Sequence, residues 1–223
     1  MTEITEHLRD IVERVARAST LAPRAKSVTI VAVSKQKTSA DIEEAFRAGQ
    51  RDFGESYAQE AAAKIEALRD LDITWHFIGA LQANKTRIVA EHFQWVHTID
   101  RAKIAARLNE QRPHFAAPLN VLIQVNQARE QQKRGVAEDE IFPLAHEIAA
   151  LTRLRLRGLM TIPPASGDPT RWFRELAASL ERLRAAGLDV DTLSMGMSAD
   201  FEQAIAAGST CVRIGTAIFG ARN

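Results

Sequence analysis

Cysteine is nearly missing from this chain of 223 residues: Cys211 stands alone, so no intramolecular disulfide can form and a reducing compartment is expected. One cysteine and six scattered histidines also supply no set of zinc ligands. No apolar run approaches the roughly 20 residues that a bilayer span requires. The stretch from Met1 to Ser19 is charged throughout and lacks the apolar centre of a secretory signal. Neither a phosphate-binding loop ending in Gly-Lys-Ser/Thr nor a dinucleotide glycine fingerprint is present. An excess of one charge is missing as well. The 29 basic and 28 acidic side chains leave a net charge of +1, which gives no general drive toward nucleic acid or an anionic membrane. These absences together describe a soluble cytoplasmic protein with no metal, no nucleic acid and no membrane among its partners.

What is present is an ordinary globular composition, 46% hydrophobic and 26% charged. Apolar, β-branched runs bounded by polar residues place strands starting near residues 28, 52, 74, 95, 119, 154, 190 and 211. Seven of them are followed by helical periodicity, and such spacing demands right-handed parallel crossovers. Thr38 or Ser39 is placed to cap the first of these helices, Asp100 to cap another, and Asp168-Pro169 to start a third that buries Trp172, Leu176, Leu180 and Leu183. A leading helix carries Ile4, Leu8, Ile11, Val12 and Val15 as its apolar stripe. Two architectures satisfy the pattern, an open doubly wound sheet and a closed (β/α)8 barrel. Eight units and the missing dinucleotide fingerprint favour the α/β barrel, with the leading helix in the slot of an absent eighth helix. No linker is long or polar enough to divide the chain, so residues 1–223 read as one domain.

In such a barrel the loops after the strands open onto one face and carry the chemistry. Val31-Ala32-Val33-Ser34-Lys35-Gln36-Lys37 sets Lys35 just beyond the first strand, as either a solvated lysine or a Schiff-base nucleophile. Ser56 and Tyr57 follow strand two. Ser194-Met195-Gly196-Met197-Ser198 follows strand seven and Gly215-Thr216 strand eight, the loops with which barrels commonly bind phosphate. Ser198 either serves that purpose or caps its helix. Arg213 shares a strand face with Cys211 and Gly215. Pointing outward it sits among helices; pointing inward its permanent charge needs an acceptor such as phosphate or a pyridine nitrogen. A lysine beside anion-binding loops fits either a phosphosugar or pyridoxal phosphate. His76 reads as a hydrogen-bonded core residue, Trp75 and Trp95 as packing under helices, and Gln131 to Gly135 as a solvated loop.

The motifs VAVSKQK (31–37), FGESYAQE (53–60), WHFIGALQANK (75–85), HTID (97–100), RLRGLMTI (155–162), LSMGMSADFEQAIAAGST (193–210) and VRIGTAIFGAR (212–222) span nearly the whole chain. In them the chain resembles the pyridoxal-phosphate homeostasis proteins of the YggS/PROSC type. Their fold is similar to the N-terminal barrel domain of alanine racemase, pyridoxal-phosphate fold type III. The resemblance implies that Lys35 carries pyridoxal 5'-phosphate as an internal aldimine and that Ser198, Gly215 and Thr216 hold its phosphate. It also implies that Arg213 faces the pyridine nitrogen and that Met197 and Ser56 touch the cofactor. Ser56 stands where the family usually has asparagine, so that contact is made by a shorter side chain. The family is regarded as non-enzymatic, a carrier in vitamin B6 and amino-acid homeostasis, with apo-enzymes as recipients. The racemase tyrosine from a further domain has no counterpart here, Tyr57 being the one tyrosine. Without that domain a monomer is expected rather than a dimer. The competing reading is a fold-type III enzyme of racemase type, and behind it a phosphosugar aldolase.

Overall fold

The computed structural model describes residues 2–22 and 27–221. Eight parallel strands follow one another around a closed barrel, with the last paired back onto the first. They are β1 (Thr29–Val33), β2 (Asp52–Glu55), β3 (Thr74–Phe77), β4 (Trp95–Ile99), β5 (Leu119–Val125), β6 (Leu154–Thr161), β7 (Thr192–Ser194) and β8 (Cys211–Ile214). The helices following β1 to β8 in turn are α2 (Ser39–Arg47), α3 (Ala58–Ala67), α4 (Thr86–His92), α5 (Ala102–Gln111), α6 (Ile141–Ala149), α7 (Thr170–Ala185), α8 (Phe201–Ala206) and α9 (Thr216–Phe219). The expected (β/α)8 barrel is therefore the fold, and the open sheet is excluded. No helix among the described residues is long and apolar enough to cross a membrane.

The leading helix α1 (Glu3–Thr20) packs on α2, α8 and α9. That is the place a full helix after β8 would fill, and the four-residue α9 leaves it open. Leu8, Ile11 and Val15 are buried there, whereas Val12, at the edge of the predicted stripe, is 48% exposed.

Side chains alternate across each strand. Ala32, Phe53, Trp75, Phe77, Val96, Val121, Ile123, Leu193, Val212 and Ile214 belong to the apolar core formed with the surrounding helices. The opposite faces fill the barrel itself, and they are partly polar: His76, His97, Ser194 and Arg213 are all buried. Trp95 takes this inner parity with His97 rather than lying under a helix, and its ring stacks on His76 at 5.5 Å and 10°.

Local side-chain contacts set the starts of α2 and α7. Thr38 begins α2 through a reciprocal capping box: Asp41 N donates to Thr38 Oγ1 (3.2 Å) and Thr38 N to Asp41 Oδ2 (2.8 Å). Asp168 accepts from the Thr170 amide at 2.9 Å as expected. The residue that α7 buries beside Leu176 is Phe173, with Trp172 half-buried. Asp100 does not cap α5. Its carboxylate accepts instead from Arg101 Nη1 at 2.8 Å and Arg134 Nη1 at 3.5 Å. β7 begins two residues later than its apolar pattern suggests, because Val190 N donates to Leu188 O and Val190 O accepts from Arg184 Nε, holding a turn.

Candidate functional site

Lys35 follows β1 in a turn whose next residue, Gln36, adopts φ 61°, an unfavourable region for a side chain other than glycine. The strain is offset from α3. Glu60 Oε1 accepts the Gln36 amide at 2.7 Å, and the buried Lys64 Nζ donates to Ser34 O at 2.8 Å. Lys64 also pairs with Glu60 (2.6 Å) and with the fully buried Glu55 (2.8 Å), which accepts from Ser34 Oγ at 2.7 Å. Burial pushes the Glu55 carboxyl above its usual range against the pull of Lys64 and Ser34. This clamp fixes the backbone from which Lys35 projects.

Lys35, Ser56, Met197, Ser198, Arg213, Gly215 and Thr216 line one cavity of about 340 Å³ at the carboxyl ends of the strands. All seven residues singled out in the sequence thus meet. Three cations face it (Lys35, Lys37 and Arg213), with three hydroxyls and an apolar wall that includes Val33, Ile78 and Ile162. No acidic side chain is among its described lining. Such a space suits a small anionic, flat ligand with a group that an amine can attack.

Arg213 takes the inward face of β8 and is 4% exposed. Its guanidinium donates from Nη1 to Ser194 Oγ (2.7 Å) and from Nη2 to Thr161 O (2.9 Å). The outward alternative fails because Val212 and Ile214 occupy the helix-facing positions. Ser198 does not cap α8, whose capping residue is Asp200; its hydroxyl accepts from Ala217 N at 3.4 Å and so ties the loops after β7 and β8 together. Gly196 makes the first of these loops possible. Its φ is +96°, and a Cβ there would lie 2.7 Å from the Ala204 Cβ. Gly79 does the same for Ser56, since a Cβ would stand 2.1 Å from the Ser56 carbonyl oxygen.

Two placements, of Lys37 and of the segment from Gln131 to Gly135, go beyond the sequence reading. Lys37, given no role in the sequence, lines the cavity, and its amine donates to Phe219 O (2.9 Å) and Ala221 O (3.2 Å). Its place in the same loop after β1 was the available signal. Lys85 stays outside this cavity and shares a separate one with Tyr57. The segment from Gln131 to Gly135 is not a plain solvated loop. Lys133 donates to Pro163 O at 2.8 Å, and Lys133 and Arg134 line a cavity of about 200 Å³ that shares Ile78 and Ile162 with the first. His76 is buried and hydrogen-bonded as expected, 2.9 Å from Asp52 Oδ1. Cys211 is a small buried residue whose thiol burial pushes up to about 12.

Comparison with known proteins gives the geometry its context. A family model described as the N-terminal domain of alanine racemase matches residues 7–223. The chain is 50% identical to a pyridoxal phosphate homeostasis protein of Escherichia coli over 230 residues, covering 100% of this chain and 98% of the relative. A pyridoxal phosphate homeostasis protein of Pseudomonas aeruginosa is likewise 50% identical over 224 residues, with 100% and 97% covered. Among solved structures, PipY of Synechococcus elongatus with PLP bound superposes with a TM-score of 0.85 at 34% identity, covering 97% of this chain and 100% of that one. Alanine racemase of Corynebacterium glutamicum shares the fold at a TM-score of 0.68 and 20% identity, over 94% of this chain and 61% of that one.

Proposed function

Because the chain belongs to the pyridoxal phosphate homeostasis proteins, a family built on the alanine racemase N-terminal domain, we propose that it binds pyridoxal 5'-phosphate and acts in vitamin B6 and amino-acid homeostasis without turnover. The observation that carries this reading is the convergence of Lys35, Arg213 and the Ser198 and Thr216 segments on one cavity with no acidic side chain among its described lining. Bound there, the cofactor supplies an aldehyde that Lys35 holds as a Schiff base. Ser198, Gly215 and Thr216 receive the phosphate. Arg213 would face the ring nitrogen with its remaining N–H groups, and Met197, Ile162 and Ser56, which line the same cavity, would lie against the cofactor.

The same residues argue against catalysis. Arginine donates a hydrogen bond but does not give up a full proton, so a ring facing Arg213 is a weak electron sink. Racemisation also needs a second proton carrier on the face of the reacting carbon opposite Lys35. Lys37 is held by two backbone carbonyls, and Tyr57 is 51% exposed and lines a different cavity. The role left is to hold the cofactor and release it to apo-enzymes.

Borohydride reduction of the protein loaded with pyridoxal phosphate, followed by peptide mass spectrometry, is expected to place the label on Lys35 and to find none in Lys35→Ala. A label elsewhere, or no label with cofactor in excess, refutes the site. Racemase or transaminase turnover that disappears in Lys35→Ala refutes the absence of catalysis.

A further inference from the structure

Arg213 carries a buried positive charge, yet its two protein acceptors, Ser194 Oγ and Thr161 O, are both neutral. A charge so placed is costly unless a polar network compensates it. One runs from Arg213 through the inside of the barrel. Ser194 Oγ lies 2.8 Å from His97 Nδ1, His97 Nε2 lies 3.0 Å from His76 Nδ1, and His76 Nε2 lies 2.9 Å from Asp52 Oδ1. Five side chains from β2, β3, β4, β7 and β8 form a single file. It ends at Asp52, 30% exposed in a second cavity of about 380 Å³ at the amino ends of the strands, opposite the site.

The ends of this file determine its direction. A guanidinium only donates and a carboxylate only accepts. With Asp52 accepting, His76 carries its proton on Nε2 and presents a bare Nδ1. His97 must then donate from Nε2, which leaves its Nδ1 to accept the Ser194 hydroxyl proton, and the Ser194 oxygen is free to accept from Arg213. Each hydrogen bond of the file then has one donor and one acceptor, both rings are neutral, and all the bonds point toward Asp52. The reversed arrangement sets the His76 Nε2 lone pair against the carboxylate. Burial, the dominant influence on both rings, lowers the pKa of His76 and of His97 and favours the same neutral forms. Trp95, stacked on His76, is covered on its ring by the Arg157 guanidinium at 4.8 Å, and Arg157 is in turn paired with Asp191 at 2.6 Å. The His76 ring cannot swing away without disturbing that stack.

We propose that Asp52, acting through His76, His97 and Ser194, is a positioning residue for Arg213: the file fixes both histidine tautomers and holds the guanidinium aimed at the cofactor cavity. Aligned hydrogen bonds polarise one another, so the carboxylate at one mouth of the barrel strengthens the acceptor presented to Arg213 near the other. The part of the proposal that concerns the ring rests on pyridoxal phosphate binding; the tautomers do not.

The tautomers are read directly from nitrogen-15 spectra of histidine-labelled, cofactor-free protein, with His76 and His97 identified by single substitutions. Both rings should be protonated on Nε2. An Nδ1-protonated or doubly protonated ring in the wild type at neutral pH overturns the file, whether or not the protein binds any cofactor. Asp52→Asn, whose carboxamide can donate, should change the tautomers and shift the visible band of the loaded protein. It should also weaken pyridoxal phosphate binding by about tenfold, as lost outer partners of a bound group do, while Lys35 still takes the borohydride label. If Asp52→Asn does not fold, Ser194→Ala cuts the file next to Arg213. The His76 tautomer should persist and the band should shift. A band identical to wild type in either folded variant refutes the positioning role, and loss of the Lys35 label in the wild type refutes the binding reading instead.

Discussion

His97 shows how far a side chain's surroundings govern its charge. Burial, then His76 and Arg213, holds its pKa well below 6.5, and burial lowers His76 as well despite Asp52. A base depressed in the folded state contributes stability that is present above its ordinary value and lost as pH falls through the folded one. Urea unfolding should therefore give a lower midpoint at about pH 5 than at about pH 7.5, and His97→Leu should flatten that dependence. Lys64 makes the converse case. Lys64→Met would strand Glu55 as a buried charge, for a loss of about 3–5 kcal/mol in denaturant unfolding. Adding Glu55→Gln, which removes the charge, should recover part of it. The sequence showed Lys35, Ser198 and Arg213 as candidates because each sits in a loop or strand whose position spacing alone locates. It left Arg213 with two faces, since alternation defines the faces but does not say which is inside. The partners that settle it, Ser194 and Thr161, come from β7 and β6 and meet Arg213 only when the strands lie side by side. His97 drew no notice for the same reason.

Among the elements, the strands were the most legible: β5 and β8 start at residues 119 and 211, where their apolar runs begin. Errors fall where a backbone or charge contact outcompetes a local preference, as at Val190 in its turn and at Asp100 with its two arginines. The loop between β7 and α8 depends on Gly196. Gly196→Ala combines a positive φ with a Cβ contact of 2.7 Å and should cost about 1–3 kcal/mol. It should also weaken cofactor binding, because Met197 and Ser198 follow directly. Gly208→Ala has a similar φ, +102°, with nothing within 4 Å. It should show the strain without the loss of binding, so titration of both variants with pyridoxal phosphate separates crowding from strain. Thr38→Ala, which removes the cap of α2, should cost about 0.5–2 kcal/mol in thermal unfolding.

For the molecule as a whole, α1 is both a lid on the core and a brace for the site. It packs on α8 and α9, the helices that follow the Ser198 and Thr216 loops, with His7 Nδ1 3.2 Å from Ile218 O and Arg14 paired with Glu202 at 3.1 Å. Leu8→Ala or Ile11→Ala should cost about 2–5 kcal/mol in urea unfolding and loosen cofactor binding although neither side chain lines the cavity. The seam of the barrel carries a last consequence. Val31 pairs in register with Arg213, so the strand leading to Lys35 and the strand carrying Arg213 are neighbours in space at opposite ends of the chain. During synthesis the first of them leaves the ribosome long before the second. On the proposed assignment, a growing chain that has made Lys35 has the amine but neither the Arg213 guanidinium nor the Ser198 and Thr216 segments to set beside it. With the site so assigned, retention of the cofactor should arise only when the eighth strand is laid against the first, which would make it a signal that the barrel has closed.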